Sequence, residues 1–325
     1  MKISIIIPVY NAGKYLEAAV SSALKQAEVE EIILVEDGSR DNSLDICEKL
    51  KGEYKKIKLF QHLNGENRGA GESRNLGLKN ATQEYVAFLD ADDFYLENRF
   101  ETTKKVFANP DVDGVYEAIG VSFENEKLAQ DWSKKSGQKL TTVSEKVDPD
   151  KLFLFLALAG KGHFSLDGLT LRSRAMDNRI FFFNDLEISE DTGFCLKLSL
   201  LRNLYPGSID KEVAMRRVHD KNRITRAEKK EMIYYGNILW NDLFEWSKDK
   251  RVNFSKKALI YFMKNFSSIL NTLSKNNFKI NQKLLFVLIF PVFLLIHPFM
   301  GLSVLINIIQ CVFLKKCYYN HNYSI

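Results

Sequence analysis

The chain is poor in cysteine. Four cysteines occur among 325 residues, and no two have the Cys-x-x-Cys spacing that zinc sites and redox motifs use. Their scatter favours a reducing cytosol over a disulfide framework. Zinc-finger, basic-zipper and RNA-binding signatures are also missing, and the net charge of +5 is mild. We therefore expect no nucleic-acid partner.

One long stretch lacks charge of either sign. From Leu284 to Leu314 there is no Asp, Glu, Lys or Arg. The run exceeds the ~20 residues of one membrane span but falls short of the about 40 that two spans need. Pro291 and Pro298 interrupt any single helix, and lysines flank both ends. We expect residues 284–325 to form a tail at the cytoplasmic face of the membrane, lying in its plane or re-entering it. One tilted span and a buried helix pair remain as alternatives.

Apolar runs alternate with helical patterns over the first hundred residues. The opening run is too short for a signal peptide and is typical of a strand. Strands separated by helices indicate an α/β fold with a doubly wound, mostly parallel sheet. The predicted strands are 3–9, 32–35, 57–61 and 85–89, and the predicted helices are 14–26, 44–50 and 69–81.

The pattern loosens further along the chain. We predict one strand over 112–121, an irregular excursion over 124–148, and a strand over 166–171. After Thr225 the chain becomes helical and basic, with interleaved aromatic residues. These changes predict an α/β domain followed by two smaller regions. The α/β domain covers 1–225, with halves at 1–100 and 101–225; the basic helical region covers 226–283, and the tail 284–325.

The predicted strand 85–89 ends abruptly in Asp90-Ala91-Asp92-Asp93. Ligands of open α/β sheets bind at the carboxyl ends of strands. Alternation along extended backbone can point Asp90 and Asp92 to the same side. Two such carboxylates suit a hard cation, Mg²⁺ or Mn²⁺, which in turn suits a pyrophosphate. The alternative is an ordinary acidic turn.

Polar residues follow two other predicted strands. In Pro8-Val9-Tyr10-Asn11, Tyr10 can stack on a flat ring, although the segment also suits an ordinary strand-to-helix turn. In Glu36-Asp37-Gly38-Ser39, Asp37 can accept a hydrogen bond from a base or a ribose. A helix N-cap is the alternative for that aspartate.

A glycine-rich segment, 64–77, precedes the predicted third helix. Its glycine spacing does not match a dinucleotide fingerprint, and the lysine of a phosphate-binding P-loop is absent. Arg68 and Arg74 beside a helix start still make a plausible phosphate site. A capped helix whose arginines pair with surface acids is the alternative.

Together the four segments resemble glycosyltransferase family 2, whose members have the GT-A fold. The family patterns are PxYN, (D/E)DGSxD, NxGxxxARNxG and a strand ending in DxDD. They stand here as 8–11, 36–41, 67–77 and 90–93. The resemblance is strong over residues 1–100 and fair over the residues up to about 225. Beyond that position the sequence no longer resembles the family. Glu36 replaces the commoner Asp, and Ser73 replaces the usual Ala.

The resemblance implies a role for each motif. The bound donor would be a nucleotide diphosphate sugar, and UDP is the commonest nucleotide. Mn²⁺ or Mg²⁺ would bridge its two phosphates and stabilise the leaving diphosphate. Base and ribose would be held by Pro8, Tyr10 and Asp37; Arg74 would lie near the nucleotide, Asp90 would face the ribose or the metal, and Asp92 would ligate the metal.

Two later segments complete the resemblance. Asp191, in Ser189-Glu190-Asp191, stands where the family has the base that deprotonates the acceptor hydroxyl. The alternative is that both acids favour the positive end of a helix dipole. His219, after a predicted strand, would ligate the metal or contact the diphosphate. A structural histidine is the alternative.

The resemblance implies an inverting, metal-dependent transfer of a sugar onto an acceptor hydroxyl by a single displacement. The apolar tail suggests a glycan or lipid-linked acceptor and a role in surface polysaccharide assembly. Three alternatives stay open: transfer onto a polyprenyl phosphate, a non-catalytic membrane-anchored binding protein, and a nucleotidyltransferase that releases pyrophosphate.

Overall fold

The computed structural model describes residues 1–135, 137, 139–158, 162–176, 180–183, 186, 188–222, 228–248, 252–276, 278 and 282–306. Strands in these residues form two sheets. In chain order they are β1 (Ile3–Val9), β2 (Val29–Glu36), β3 (Ile57–Gln61), β4 (Tyr85–Phe88), β5 (Phe94–Tyr95), β6 (Gly114–Tyr116), β7 (Ile119–Phe123), β8 (Leu169–Arg172), β9 (Leu204–Pro206) and β10 (Ala214–Val218).

The larger sheet has seven strands in the order β3-β2-β1-β4-β8-β6-β9. Strand β8 runs antiparallel to both of its neighbours, and the remaining pairs are parallel. The predicted α/β class with a mostly parallel sheet is therefore confirmed. Successive strands reverse their lateral direction between β1 and β4, and in open sheets such a reversal creates a ligand crevice at the carboxyl ends.

Helices cover the sheet and continue beyond it. They are α1 (Leu16–Leu24), α2 (Ser43–Glu53), α3 (Gly69–Asn80), α4 (Glu101–Val106), α5 (Glu126–Lys135), α6 (Pro149–Leu158), α7 (Glu190–Leu201), α8 (Lys229–Ser247), α9 (Phe254–Lys275) and α10 (Gln282–Ile296).

The apolar strands are buried on both faces, as parallel strands between helices must be. Along β1, Ile5 and Ile7 pack into one apolar cluster, whereas Ile6 between them packs into another. Side chains alternate across a strand, so β1 separates the two cores. Leu239 of α8 and Leu259 of α9 belong to the same cluster as Ile6, so these C-terminal helices share the core of the sheet domain.

The prediction of one strand over 112–121 was wrong. The chain forms β6 there, leaves the large sheet at Glu117, and enters a small sheet of order β5-β10-β7 as β7. Glu117 is fully buried at this switch, where its carboxylate pairs with Arg99 at 3.1 Å. The predicted irregular excursion over 124–148 contains α5, and the predicted strand 166–171 begins as a short 3₁₀ turn.

None of the helices in the described ranges combines the length and apolarity that crossing a bilayer requires. Helix α10 ends at Ile296, and helical backbone resumes over 298–306. Residues 307–325 of the predicted tail, and 223–227 at the predicted domain boundary, lie outside the described residues.

Helix α3 packs closely against β1 at Gly77. A Cβ atom added there would lie 2.4 Å from Cγ2 of Ile6, which is fully buried. We expect Gly77→Ala to lower the free energy of unfolding by about 1–3 kcal/mol, because a packed core resists added volume. Urea denaturation measures the change.

Gly52 in α2 is the matched control, because an added Cβ would meet nothing within 4 Å. Gly52→Ala should raise the free energy of unfolding by up to about 1 kcal/mol through helix propensity. Equal shifts in the two variants would contradict the close packing of α3 on β1.

Candidate active site

The loops after β1 and β2 are joined by hydrogen bonds. The N–H of Asn11 donates to Oγ of Ser39 at 3.0 Å, and the N–H of Arg40 donates to Oδ1 of Asn11 at 2.8 Å. Asn11 holds a φ of 50°, in the left-handed region that asparagine tolerates better than most residues. The PxYN and EDGSxD segments therefore form one surface. Pro8 and the half-exposed Tyr10 lie on this surface.

Asp37 caps helix α3. Its two carboxylate oxygens accept hydrogen bonds from the N–H groups of Arg68, at 2.7 Å, and Gly69, at 2.9 Å. These N–H groups have no partner within the helix, so the carboxylate satisfies them. Asp37 is buried. Its contacts match the cap alternative, although it caps the helix after the next strand rather than the helix that follows it.

Arg74 connects two of the predicted site segments. Its guanidinium donates to Asp90 at 2.7 Å and to Glu190 at 3.2 Å, and its side chain is 5% exposed. Burial lowers the pKa of Arg74, but the charges of Asp90 and Glu190 outweigh it and raise the pKa above its usual value. Arg74 therefore stays charged, and it holds the end of β4 beside the start of α7.

The next residue, Asn75, fixes the approach to α7. Its side-chain amide donates to the carbonyl of Phe182 at 3.2 Å and accepts from the N–H of Phe182 at 2.8 Å. From a single helix, Arg74 thus binds the end of β4 and the start of α7, and Asn75 binds the segment that precedes α7.

Asp191 lies in the first turn of α7. Ser189 precedes the helix with a φ of 71°, an uncommon conformation for a residue other than glycine. Oδ1 of Asp191 accepts a hydrogen bond from the N–H of Thr192 at 2.6 Å, and the residue is partly exposed. Burial and the charge of Asp191 raise the pKa of Glu190 to about 7, despite Arg74.

The structure brings Asp92 and His219 together. Nε2 of His219 lies 2.9 Å from Oδ2 of Asp92, and the amide of Asn222 donates to the same oxygen at 3.2 Å. Nδ1 of His219 accepts from the N–H of Lys221 at 3.2 Å, so a neutral ring carries its hydrogen on Nε2 and donates it to Asp92. A metal ligand needs a lone pair at Nε2 instead. In this arrangement His219 orients the carboxylate of Asp92, and its predicted role as a metal ligand stays a prediction.

Tyr15 holds His219 in place, a role that sequence reasoning missed. The two rings stack with centroids 4.8 Å apart, and the tyrosine hydroxyl donates to Glu124 at 2.7 Å. In the sequence, Tyr15 is one residue of a predicted helix. Its contact with a residue more than two hundred positions away has no local signal.

Two further acids lie behind the predicted cluster. Oδ1 of Asp93 accepts from the N–H of Arg217 at 2.7 Å, and Oδ1 of Asp167 accepts from the N–H of Asp90 at 2.9 Å. Asp93 thus joins the β4 end to β10, where sequence reasoning assigned it no chemistry. Asp167 was missed, although a lone carboxylate in the apolar run 166–171 was a usable signal.

Both acids resist ionisation. Burial and the charges of Asp167 and Asp92 hold the pKa of Asp93 well above its usual range. Burial and the charge of Asp90 raise the pKa of Asp167 to about 6. Among the described residues Oδ2 of Asp167 has no hydrogen-bond partner unless one of the two carboxyl groups carries a proton. A shared proton is a common solution for adjoining acids.

Three carboxylates among the described residues lie close enough to share a metal ion. Oxygens of Asp90, Asp93 and Asp167 lie within 4.8 Å of one another, but Asp93 and Asp167 are buried. Asp92 is about a third exposed and is oriented by two hydrogen bonds. A cation that must also touch a substrate diphosphate needs an accessible carboxylate. Asp92 with the exposed part of Asp90 fits that requirement better than the buried pair.

Known proteins share sequence and fold with this chain. The family model described as glycosyl transferase family 2 matches residues 4–181. The minor teichoic acid biosynthesis protein GgaA of Bacillus subtilis is 30% identical over 209 residues, which are 62% of this chain and 44% of GgaA. The chain spans less than half the length of several curated relatives that it matches.

Solved structures share the fold. The structure of S. aureus TarS 1-349 in complex with UDP-GlcNAc aligns with a TM-score of 0.61 and 22% identity, over 85% of this chain and 76% of that one. The mannosyltransferase PcManGT of Pyrobaculum calidifontis, in complex with GDP-Man and Mn²⁺, aligns with a TM-score of 0.54 and 13% identity, over 96% of this chain and 87% of that one. The GT-A-like architecture is thereby established.

The raised pKa of Asp167 predicts a pH-dependent effect of Asp167→Asn. Between pH about 4 and 6 the folded protein binds more protons than the unfolded chain, so wild-type stability falls as the pH rises through this window. Asparagine does not ionise, so the free energy of unfolding of Asp167→Asn does not fall in this way. The difference in free energy of unfolding, variant minus wild type, should rise by up to about 3 kcal/mol across the window and then level off. Urea denaturation at several pH values, with EDTA present, measures it.

Asp41→Asn is the control of opposite sign. Burial raises the pKa of Asp41, but hydrogen bonds from Ser43 and Gly13 outweigh it and lower the pKa. Loss of that carboxylate should cost stability increasingly as the pH rises from acid to neutral. The same trend in both variants would contradict the assigned environment of Asp167.

Proposed function

Since the chain belongs to glycosyltransferase family 2, we propose that it is an enzyme that transfers a sugar from a nucleotide diphosphate donor to an acceptor hydroxyl. The observation that carries this proposal is the Arg74 bridge. It holds Asp90, at the strand end where donors bind in open sheets, beside Glu190, the neighbour of the proposed base. Donor-side and acceptor-side residues thus share one buried cation.

The donor is a UDP-sugar in this proposal. Tyr10 is half exposed on the joined loops and offers a flat ring on which a base can stack, with Pro8 beside it. The TarS structure that shares this fold contains UDP-GlcNAc. Asp37 contributes to the proposed nucleobase site indirectly. Its carboxylate binds the N–H groups at the start of α3 and so fixes that helix next to the joined loops.

Mn²⁺ or Mg²⁺ is the proposed cofactor, with Asp92 as its ligand and Asp90 nearby. When bound, the metal neutralises negative charge that develops on the departing diphosphate. His219 and Asn222 hold the Asp92 carboxylate in one orientation, and Tyr15 holds His219. Such supporting contacts preserve a ligand geometry that a lone exposed carboxylate would lose.

Asp191 is the proposed general base. It accepts the proton of the acceptor hydroxyl while the hydroxyl oxygen attacks the anomeric carbon, and the nucleoside diphosphate leaves from the opposite face with inversion. Glu190 is the less available carboxylate of the two, because Arg74 occupies it and its side chain is mostly buried. The partly exposed carboxylate of Asp191 faces no such ion pair in the contacts described.

The acceptor is proposed to be a surface glycan or a lipid-linked precursor. GgaA, with which this chain shares 30% identity over 209 residues, is a teichoic acid biosynthesis protein by name. Transfer onto a polyprenyl phosphate is the second candidate, favoured by the apolar helix α10. Its product would be a sugar–lipid phosphate from which mild acid releases the transferred sugar as a monosaccharide. With a glycan or lipid-linked oligosaccharide acceptor, the new glycosidic bond survives mild acid and the transferred sugar stays attached to the glycan.

Asp191→Asn tests the proposed base. A screen of nucleotide sugars with Mn²⁺ should identify one from which the wild-type protein releases the nucleoside diphosphate. With that donor, Asp191→Asn should lower kcat by roughly 10²–10⁴-fold, because amides do not accept the proton. UDP binding should be unchanged. Release of pyrophosphate instead would indicate a nucleotidyltransferase, and release from no donor would contradict the enzymatic proposal.

Asp92→Ala tests the metal site independently of turnover. Isothermal titration of wild-type protein with UDP should show binding that depends on Mn²⁺, and Asp92→Ala should abolish that dependence. Asp45→Ala is the control, because Asp45 is an exposed acid in the first turn of α2. Equally strong binding by Asp92→Ala with and without Mn²⁺ would refute the role of Asp92.

A further inference from the structure

Helix α10 is apolar on all sides, although only one side packs against the part of the chain that the structure describes. Phe286, Phe290 and Phe293 contact Phe262 of α9, with ring centroids 5.0–5.6 Å apart. These positions repeat every three or four residues and so lie on one face of the helix. A surface helix of a soluble domain would carry polar residues on the opposite face.

The opposite face carries large apolar side chains instead. Each of them is at least half exposed, and Leu295 and Phe299 are more than four-fifths exposed. We call the following set the outward face: Val287, Leu288, Val292, Leu295 and Ile296 of α10, together with Phe299 of the helical segment that follows it. Contiguous exposed apolar surface of this kind marks an interaction site.

The backbone bends sharply after α10. Helical backbone resumes at Pro298, a position where proline suits a helix start. A Cβ on Gly301 would lie 2.7 Å from Cα of Leu294, so the two segments approach closely across the bend. With ~1.5 Å of rise per residue, the 15 residues of α10 extend about 22 Å, less than the ~30 Å of a bilayer core. This bent, short element suits a position in the plane of an interface.

The charge of the region identifies the occupant. From Val252 to Ile306 the sequence has six lysines and neither Asp nor Glu. Such a region is attracted to an anionic lipid surface. A second copy of the chain would bring two regions of positive charge together, and like charges oppose that contact.

We propose that the outward face inserts in the plane of an anionic lipid leaflet, with α10 and the helical segment 298–306 as a membrane-docking element. The apolar side chains enter the boundary between headgroups and acyl chains, and the net positive charge of this part of the sequence attracts it to lipid phosphates. The inward phenylalanines keep α10 attached to α9, so docking brings the sheet domain to the lipid surface. This proposal concerns binding alone and does not depend on the proposed transfer reaction.

Vesicle flotation with the full chain tests the proposal. Wild-type protein should float with vesicles of phosphatidylcholine and phosphatidylglycerol in equal amounts, and several-fold less with phosphatidylcholine alone. Added salt should weaken the binding, because it screens the lysines. The double variant Leu295→Asp/Phe299→Asp should bind more than about tenfold less, because aspartate is costly to place in an apolar layer.

Leu63→Asp is the matched control. Leu63 is 75% exposed but lies in the half of the sheet domain that covers residues 1–100, so the same kind of substitution there should leave vesicle binding unchanged. Circular dichroism and an unchanged midpoint of urea denaturation would show that the double variant is folded. An independent reading comes from Phe299→Trp, whose added fluorescence should shift to the blue with vesicles and be quenched by lipids brominated near the headgroup.

Three results would overturn the proposal. One is wild-type protein that does not float with anionic vesicles. Another is a wild-type dimer in sedimentation velocity that Leu295→Asp/Phe299→Asp converts to monomer, since the outward face would then be an interface between copies. The third is deep quenching of Phe299→Trp at the bilayer centre, which would indicate insertion across the core rather than in its plane.

Discussion

The buried ion pairs of Arg74 are the constraint on which the site depends. A charged guanidinium inside a protein is tolerated only where acids surround it, and removing one partner of such a pair typically costs about 3–5 kcal/mol. Arg74 meets that requirement through Asp90 and Glu190, which come from opposite halves of the domain. Helix α3, which carries Arg74, therefore takes its native position only when the C-terminal end of β4 and the N-terminal end of α7 lie next to each other.

The carboxylates of the site lie in two layers. Asp90, Asp92 and Asp191 are partly exposed, whereas Asp93 and Asp167 are buried, and burial and neighbouring charges raise the pKa values of both buried acids. The two buried acids accept hydrogen bonds from backbone N–H groups of β10 and of the turn after β4. The exposed carboxylates consequently have fixed positions before any cation or substrate arrives, which lowers the reorganisation that binding requires.

The sequence was sufficient for those parts of the fold that depend on local periodicity. Strands β1 to β4 and helices α1 to α3 lie close to their predicted ranges, because buried parallel strands and amphipathic helices leave regular apolar patterns. The break at Glu117 was not predictable in this way, since a buried pair with Arg99 decides it. Likewise the strand-end acids were visible as a motif, whereas Asp167 and Tyr15 act through contacts between segments distant in the chain.

The hydrogen bonds between the loops that follow β1 and β2 have a consequence for protein engineering. The side chain of Asn11 accepts a hydrogen bond from the N–H of Arg40, and the N–H of Asn11 donates to Ser39. Each loop therefore depends on the other for its conformation. If only one of these loops were replaced by the loop of a relative that prefers another sugar donor, the hydrogen bonds to the other loop would be lost. Chimeras that exchange residues 8–43 as one block keep these partners together, including the hydrogen bond from the N–H of Ala12 to Oγ of Ser43.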